Sequence, residues 1–245
     1  MFSIDTAELI LSAVAVLVTL TVHEYAHGYV AYKLGDSTAK NFGRLTLNPI
    51  RHIDLFGAIC MLLFHFGWAK PVPINPRNFK KPRRDFALVA AAGPISNIIM
   101  AFLLAPLFLL MLKTLTPEEN VIIFNLKYNL ANFLGIFFSV NIGLGIFNLI
   151  PIPPFDGSRI LNLILPPKAY FAVMKHERKI YWALIIWLFF GDTLYRALIG
   201  IPFVAASPVL SAIASVFSLS LHLSRAVGFI SNAILSFWQL IPFLR

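Results

Sequence analysis

The chain has 245 residues, of which 58% are hydrophobic and 13% are charged, and its formal net charge is +9. The mean hydropathy of +0.78 lies far above that of soluble globular proteins, so the composition excludes an ordinary water-soluble domain. The basic residues lie mainly between apolar runs, as in loops held on the cytoplasmic side of a membrane, and no groove-reading motif accompanies them. Nucleic acid is therefore not expected as a partner, whereas the lipid bilayer is.

Long apolar runs predict the helices. They cover about 8–32, 86–112, 126–150, 178–204 and 207–243, with a shorter stretch at 55–68. A helix rises ~1.5 Å per residue and the hydrocarbon core is ~30 Å thick, so about 20 residues span it. The last run is long enough for two helices, and 55–68 is short enough to be re-entrant. The predicted fold class is an all-α polytopic membrane protein with five to six transmembrane helices.

The segment 36–50 after the first helix differs from the rest. It carries Gly, Asn, Thr and Pro, and apolar residues such as Phe42, Leu45 and Leu47 alternate with polar ones. This pattern predicts one or two short strands. Polar backbone at membrane depth needs protein or a water-filled cavity to receive its hydrogen bonds, so a small membrane-inserted β element should line an internal cleft. We interpret 1–245 as a single membrane domain.

The charges of the connecting segments predict the orientation. Residues 33–54 hold four basic and two acidic residues, and 68–85 hold six basic and one acidic, so both belong inside. A non-spanning 55–68 stretch allows this and places the N-terminus outside. His23 lies about 22 Å along the first helix from Glu8, which leaves about 8 Å of the hydrocarbon core. We expect a site at this depth to lie near the cytoplasmic face.

The motif His23-Glu24-Tyr25-Ala26-His27 lies near the end of the first apolar helix. Side chains four apart share a helix face, so the two imidazoles can bind one zinc ion, and the glutamate can take a proton from water at the metal. In a soluble helix the pattern is often a solvated charged face. Inside a membrane each charged residue costs at least ~2.5 kcal/mol, which favours a functional site.

A catalytic zinc usually has three protein ligands, so a third ligand is needed. The candidates are His52, Asp54, Cys60, His65, Asp156, His176, Asp192 and His222. Asp156 is favoured because prolines at positions 151, 153 and 154 break any helix and present its carboxylate on a stiff, extended loop. His222 lies in an apolar run, where a lone histidine is more often a packing residue.

These motifs together resemble the site-2 protease family of intramembrane zinc metalloproteases. That family is defined by HExxH and an NxxPxPxxDG motif, and the matching positions here are His23, Glu24, His27, Asn148, Pro151, Pro153, Asp156 and Gly157. The resemblance implies that His23, His27 and Asp156 bind Zn²⁺ and that Glu24 is catalytic. It covers residues 8 to about 165 as the catalytic core and leaves about 178–245 as accessory helices. PDZ and CBS domains found in several members are not expected here.

Three further elements each have two possible interpretations, one functional and one structural. Asn148 is either a donor to the oxyanion or a cap on the preceding helix end. The element Gly93-Pro-Ile-Ser-Asn97 resembles a family motif, but its small residues favour close helix packing over catalysis. His52 and Asp54 form either a pair behind the metal ligands or a solvated loop. Trp68–Asn75, with its alternating prolines, is a candidate edge strand for an extended substrate.

The function predicted from these residues is intramembrane proteolysis: a zinc-dependent endopeptidase that hydrolyses peptide bonds within or near transmembrane segments of membrane-protein substrates. The location predicted is a bacterial or archaeal cell membrane. The alternative is a membrane zinc transporter or metal-sensing protein, because histidines on a spanning helix also form conduction sites. A transporter needs ligands along a path, and the later helices offer few beyond Asp192, Arg196 and His222. The sequence leaves the oligomeric state open.

Overall fold

The computed structural model describes residues 6–57, 68–116, 120–215 and 218–244. In chain order the helices of these residues are α1 (Thr6–Lys33), α2 (Thr38–Asn41), α3 (Pro82–Lys113), α4 (Val121–Leu149), α5 (Asp156–Ile164), α6 (Pro167–Lys175), α7 (Glu177–Ile199), α8 (Pro202–Ala206), α9 (Pro208–Ser215) and α10 (Leu219–Trp238). Two 3₁₀ turns, Pro49–His52 and Pro76–Asn78, lie between α2 and α3.

The helix ends follow local sequence signals. The Asn120 side chain accepts a hydrogen bond from the backbone of Ile122 and caps α4, and Ser218 caps α10 in the same way through Leu221. Pro82 occupies the first turn of α3, where its missing N–H costs nothing. These three helices therefore begin where the sequence supplies a cap or a proline.

Helix α3 is the central element, packed against α4, α1 and α5. Its inner face carries Ala90, Gly93, Ala101 and Ala105, all nearly inaccessible, and these small residues let the neighbouring helices approach closely. Its outer face carries a stripe of large apolar side chains that are each more than half exposed. They are Ile95, Ile99, Leu103 and Leu107, four residues apart. A stripe of this kind is suited to lipid.

Within the described part of the chain, three helices are long and apolar enough to cross a membrane: Leu9–Lys33 of α1, α3 and α4. In their most apolar windows only 22%, 28% and 28% of the residues are buried inside the protein, so most of this surface needs a lipid environment. Helix α7 bends by 47° between Trp187 and Phe190 and would be a fourth span if its two halves count as one.

Helix α10 packs directly against α3 and α4. Ile234 of α10 joins Phe138 and Ile142 of α4 and the alanines of α3 in one apolar cluster. Helix α7 contacts α6, α8, α9 and α10. A second cluster joins Ala31, Phe79 and Val89, which fixes the end of α1 against the start of α3.

The predicted strands in 36–50 are wrong. Residues 38–41 form α2 and residues 49–52 a 3₁₀ turn, because Asp36 accepts the N–H of Thr38 and Asn48 accepts that of Ile50. The β pairing among the described residues is an isolated antiparallel bridge between Ile53 and Ala69. Most of the predicted re-entrant stretch 55–68 lies outside the described residues. The 207–243 run does divide, into α9 and α10.

Candidate active site

The two histidines of the first motif face the interior from one side of α1. His23 and His27 are 4% and 6% exposed, and their ring centroids lie 4.6 Å apart at 85°. A helix repeats every 3.6 residues, so residues four apart stand one turn from each other. The predicted pairing of the two imidazoles is therefore present.

Asp156 reaches this pair from the loop after α4. Pro151, Pro153 and Pro154 keep the segment out of a helix until Phe155, and Asp156 then begins α5. A Cβ added to Gly157 would lie 2.3 Å from the carbonyl oxygen of Leu149, so only glycine lets the first turn of α5 fold back onto the end of α4. This close return places the carboxylate beside the imidazoles.

The potential ligand atoms of the three residues converge. His23 Nε2 lies 3.0 Å from His27 Nε2, and Asp156 Oδ2 lies 3.1 Å from the first and 3.2 Å from the second. Tetrahedral bonds of about 2.0–2.2 Å to zinc would place neighbouring ligand atoms about 3.3–3.6 Å apart, so a small outward movement of the three side chains would fit the triangle to the ion. Among the described residues, this is the one group of three such side chains with ligand atoms within 4.8 Å of one another.

Hydrogen bonding fixes the ring of His27. Its Nδ1–H donates to the carbonyl oxygen of Val89 on α3 at 2.7 Å. A neutral imidazole carries one proton, so this bond leaves a lone pair on Nε2, the atom that faces the cluster. The donor set is therefore that of a metal site, with an imidazole lone pair and a carboxylate directed at one point.

Gly93 of α3 leaves room for the ligand atoms. A Cβ at this position would lie 2.5 Å from His27 Nε2 and 2.6 Å from His23 Nε2. A single methyl group would thus overlap the place where the ligands converge. The sequence analysis favoured helix packing over catalysis for this glycine; the structure shows that it also borders the potential ligand atoms of the two histidines.

Burial raises the pKa of the Asp156 carboxyl group, but the interactions with His23 and His27 outweigh burial and hold this pKa well below its usual range, which favours the carboxylate form. The carboxylate is the form that binds a metal ion.

Glu24 lies in the same cavity and is held by the chain segment before the second 3₁₀ turn. Its Oε2 accepts the N–H of Val72 at 2.8 Å. The backbone N–H of Lys70 donates to the backbone carbonyl of His52, and the backbone carbonyl of Lys70 accepts from the side chain of Arg44. In this arrangement the Trp68–Asn75 segment uses its backbone groups to bind the protein and to orient Glu24, which the sequence analysis did not anticipate.

The cavity around the cluster has a volume of about 510 Å³. His23, Glu24, His27 and Asp156 line it together with Asn148 and Arg159, and its apolar wall comes from α3, α4, α7 and the 68–74 segment. Asn148 Nδ2 donates to the carbonyl of Leu144 one turn earlier, as a capping side chain would. That bond uses one of the two amide hydrogens.

The other candidate ligands lie elsewhere. His52 is buried and its Nε2–H donates to the carbonyl of Thr46, Asp54 accepts the N–H of Gly57, and Asp192 accepts the hydroxyl of Ser218. His176 and His222 contact backbone carbonyls of their own regions. Cys60 and His65 fall outside the described residues. The structure records no hydrogen bond between the described side chains of His52 and Asp54.

Comparison with known proteins identifies the family. The model of peptidase family M50 matches residues 11–190, nearly three quarters of the chain. The chain belongs to peptidase family M50. As a member of this family it is a zinc metalloprotease, and its apolar helices agree with a multi-pass membrane protein.

Curated relatives of this M50 peptidase agree. YwhC of Bacillus subtilis, named as a zinc metalloprotease, is 49% identical over 154 residues, which are 63% of this chain and 68% of the relative. MJ0611 of Methanocaldococcus jannaschii, with the same description, is 32% identical over 155 residues, 62% of this chain and 70% of the relative. Rip2 of Mycolicibacterium smegmatis is 25% identical over 174 residues, 69% of this chain and 62% of the relative. No solved structure matches the chain.

Proposed function

We propose that this M50 peptidase is an intramembrane endopeptidase that hydrolyses peptide bonds within or near transmembrane segments of membrane proteins. His23, His27 and Asp156 would hold the zinc ion, and Glu24 would be the general base. The observation that carries the proposal is the convergence of three potential ligand atoms within 4.8 Å in a cavity that Glu24 also lines.

The residues of the cavity divide the chemistry between them. Zinc, when bound, supplies Lewis-acid polarisation of the scissile carbonyl and makes water more acidic. Glu24 takes a proton from the attacking water and passes one to the leaving nitrogen. The second amide hydrogen of Asn148 donates to the developing oxyanion. Hydrolysis then needs no covalent bond between the enzyme and the substrate.

The surroundings of the site support a substrate that arrives from the membrane. The cavity lies among α1, α3 and α4, which carry the three candidate spans, and α7 contributes Tyr181, Leu184 and Ile185 to its wall. A substrate helix keeps its carbonyls in hydrogen bonds, so it must unwind before cleavage. Residues of poor helix propensity near the cut should therefore favour hydrolysis.

The basic loops support the orientation in the cell membrane. Residues 68–85 hold six basic residues, and this segment includes Val72, which binds Glu24. By the positive-inside rule, the segment and the active site belong near the cytoplasmic face. The proposal also keeps five to six membrane crossings and a single domain, with α7 to α10 as accessory helices.

The experiment is a comparison of purified wild-type and Glu24→Gln protein on a panel of single-span substrates, with product masses read by mass spectrometry. Wild type should cut within or near the apolar segment. Glu24→Gln should retain zinc and lose about 10²–10⁴-fold in rate, because only the proton acceptor is removed. Leucine in place of the poor helix formers near the cut should slow cleavage.

Three results would contradict the proposal. Cleavage by Glu24→Gln at the wild-type rate would remove Glu24 from the mechanism. Zinc flux in proteoliposomes without any peptide cleavage would favour the transporter alternative. Cuts confined to soluble loops far from the apolar segment would reject the intramembrane substrate class.

A further inference from the structure

One buried polar side chain beside the three potential zinc ligands has no role in the mechanism proposed for this site. Asn97 of α3 is completely inaccessible, and its amide lies 3.1 Å from His23 Nδ1. It stands one turn after Gly93, on the face of α3 that meets α1. A buried amide at membrane depth is costly unless its hydrogen bonds do something for the protein.

The proton on His23 decides what Asn97 does. If the amide donated through Nδ2 to His23 Nδ1, a neutral His23 would carry its proton on Nε2. Nε2 is the atom that lies 3.1 Å from Asp156 Oδ2 and 3.0 Å from His27 Nε2. A protonated Nε2 has no lone pair for a metal, so this arrangement is incompatible with zinc binding.

The opposite orientation of the amide removes the conflict. The two ends of an amide have nearly the same shape, and hydrogen bonding decides which end is the oxygen. Asn97 Oδ1 has no hydrogen-bond partner in the present orientation, so a half-turn of the amide breaks no bond to that atom. Oδ1 then accepts the Nδ1–H of His23, and the lone pair is placed on Nε2.

We propose that Asn97 is a positioning residue that holds His23 in the tautomer able to bind zinc, by accepting its Nδ1–H. Val89 does the same for His27 with a backbone carbonyl. Both partners belong to α3, so this helix fixes both imidazoles of α1. The proposal rests on the ligand assignment made above.

Three variants separate acceptance of a hydrogen bond from packing. Asn97→Leu has a similar size and no polar atom, and its affinity for zinc should fall about 10–100-fold in competition with a chelator. The carboxylate of Asn97→Asp keeps an acceptor and has no donor, so this variant should bind zinc at least ten times more tightly than Asn97→Leu. Should Asn97→Leu fail to fold in detergent, Asn97→Ala takes its place, and the same fall in affinity for zinc is expected.

Asn141 of α4 provides the matched control. It is also completely buried, and its Nδ2 donates to Thr19 of α1, one turn before His23, at 3.0 Å. Its Oδ1 is likewise without a partner. Asn141→Leu should lower the melting temperature and leave the affinity for zinc within about two-fold, because Thr19 is not a ligand.

The absorption spectrum of the Co²⁺-loaded protein gives a second readout. Asn97→Asp should retain the wild-type spectrum, and Asn97→Leu should change it because the ring of His23 loses its support. Wild-type affinity in Asn97→Leu, or equal losses in the Leu and Asp variants, would overturn the proposal. Failure of the ligand assignment is distinguishable, because His23→Ala would then bind zinc as tightly as wild type.

Discussion

Two aspartates just beyond the ends of transmembrane helices show how the same side chain serves two purposes. Asp36 follows α1, is completely buried, and accepts hydrogen bonds from the backbone and hydroxyl of Thr38, the backbone of Asn75 and the amide of Asn78. Asp156 follows α4, and its Oδ2 meets two imidazole nitrogens beside a cavity. Asp36 is surrounded by donors, whereas Asp156 shares its site with other acceptors.

This difference separates a structural carboxylate from a metal ligand. Neutral donors satisfy an anion without any cation, so Asp36 is complete within the protein. Acceptors held about 3 Å apart oppose one another unless a proton or a metal lies between them. The donor set around a buried carboxylate, more than its burial, therefore indicates its function.

The largest effect is expected where space around the Asp156 site is removed. Gly93→Ala places a methyl group against the two Nε2 atoms, so zinc binding and proteolysis should fall to the detection limit. Gly143→Ala on α4 is the control, because a Cβ there meets nothing within 4 Å. Metal analysis and a cleavage assay on the folded proteins decide the matter. A Gly93→Ala protein with full zinc content would place the metal elsewhere.

Removal of the carboxylate should have the next largest effect. Asp156→Ala leaves two imidazoles, and the affinity for zinc should fall by more than about 100-fold, since even indirect partners of metal ligands contribute 10–100-fold. Asp192→Ala removes a carboxylate that accepts from Ser218, and it should bind zinc as wild type does. Chelator competition measures both. Equal affinities for the two variants would show that Asp156 is not a ligand.

Asp36→Asn should affect stability without affecting the metal. The amide replaces one acceptor oxygen with a donor, which should lower the free energy of unfolding by about 2 kcal/mol. The Asp54 carboxylate accepts one hydrogen bond, from the N–H of Gly57, so Asp54→Asn should lower the free energy of unfolding by less than Asp36→Asn does. Thermal unfolding in mild detergent tests the stability, and zinc titration of the folded variant should match wild type. Loss of zinc at full stability would contradict the division between the two aspartates.

The smallest expected effect is the contribution of Asp36 to the pH dependence of stability. Burial raises the pKa of Asp36, but the hydrogen bonds from Thr38, Asn75 and Asn78 outweigh it and lower the pKa below its ordinary value. The folded state therefore binds this proton less readily than the unfolded state does. The stabilisation is complete above about pH 4 and is lost as the pH falls through the lower folded value. Asp36→Asn should show a shallower acid loss in melting temperature, and an unchanged slope would exclude Asp36 as its source.

Much of the site could be predicted because its spacing is local. Residues four apart on one helix must share a face, so His23 and His27 were certain to be neighbours once α1 was a helix. The prolines before Asp156 indicated an extended loop, and the structure brings that loop to the histidines. The strands predicted after α1 were wrong because the side chains of Asp36 and Asn48 accept hydrogen bonds from backbone N–H groups two residues later, which favours turns over extended pairing.

The sequence by itself determined an apolar chain that requires lipid and a set of residues suited to zinc. Of its five to six predicted spans, three long apolar helices are found among the described residues. Only the tertiary structure decided which groups surround the residues suited to zinc. Gly93 and Asn97 have the same four-residue spacing as the histidines, but their closeness to the site depends on how α3 crosses α1. The backbone N–H of Val72 donates to Glu24, although the two residues are 48 positions apart in the chain. Such contacts depend on how helices pack in three dimensions, which a pattern read along one helix does not contain.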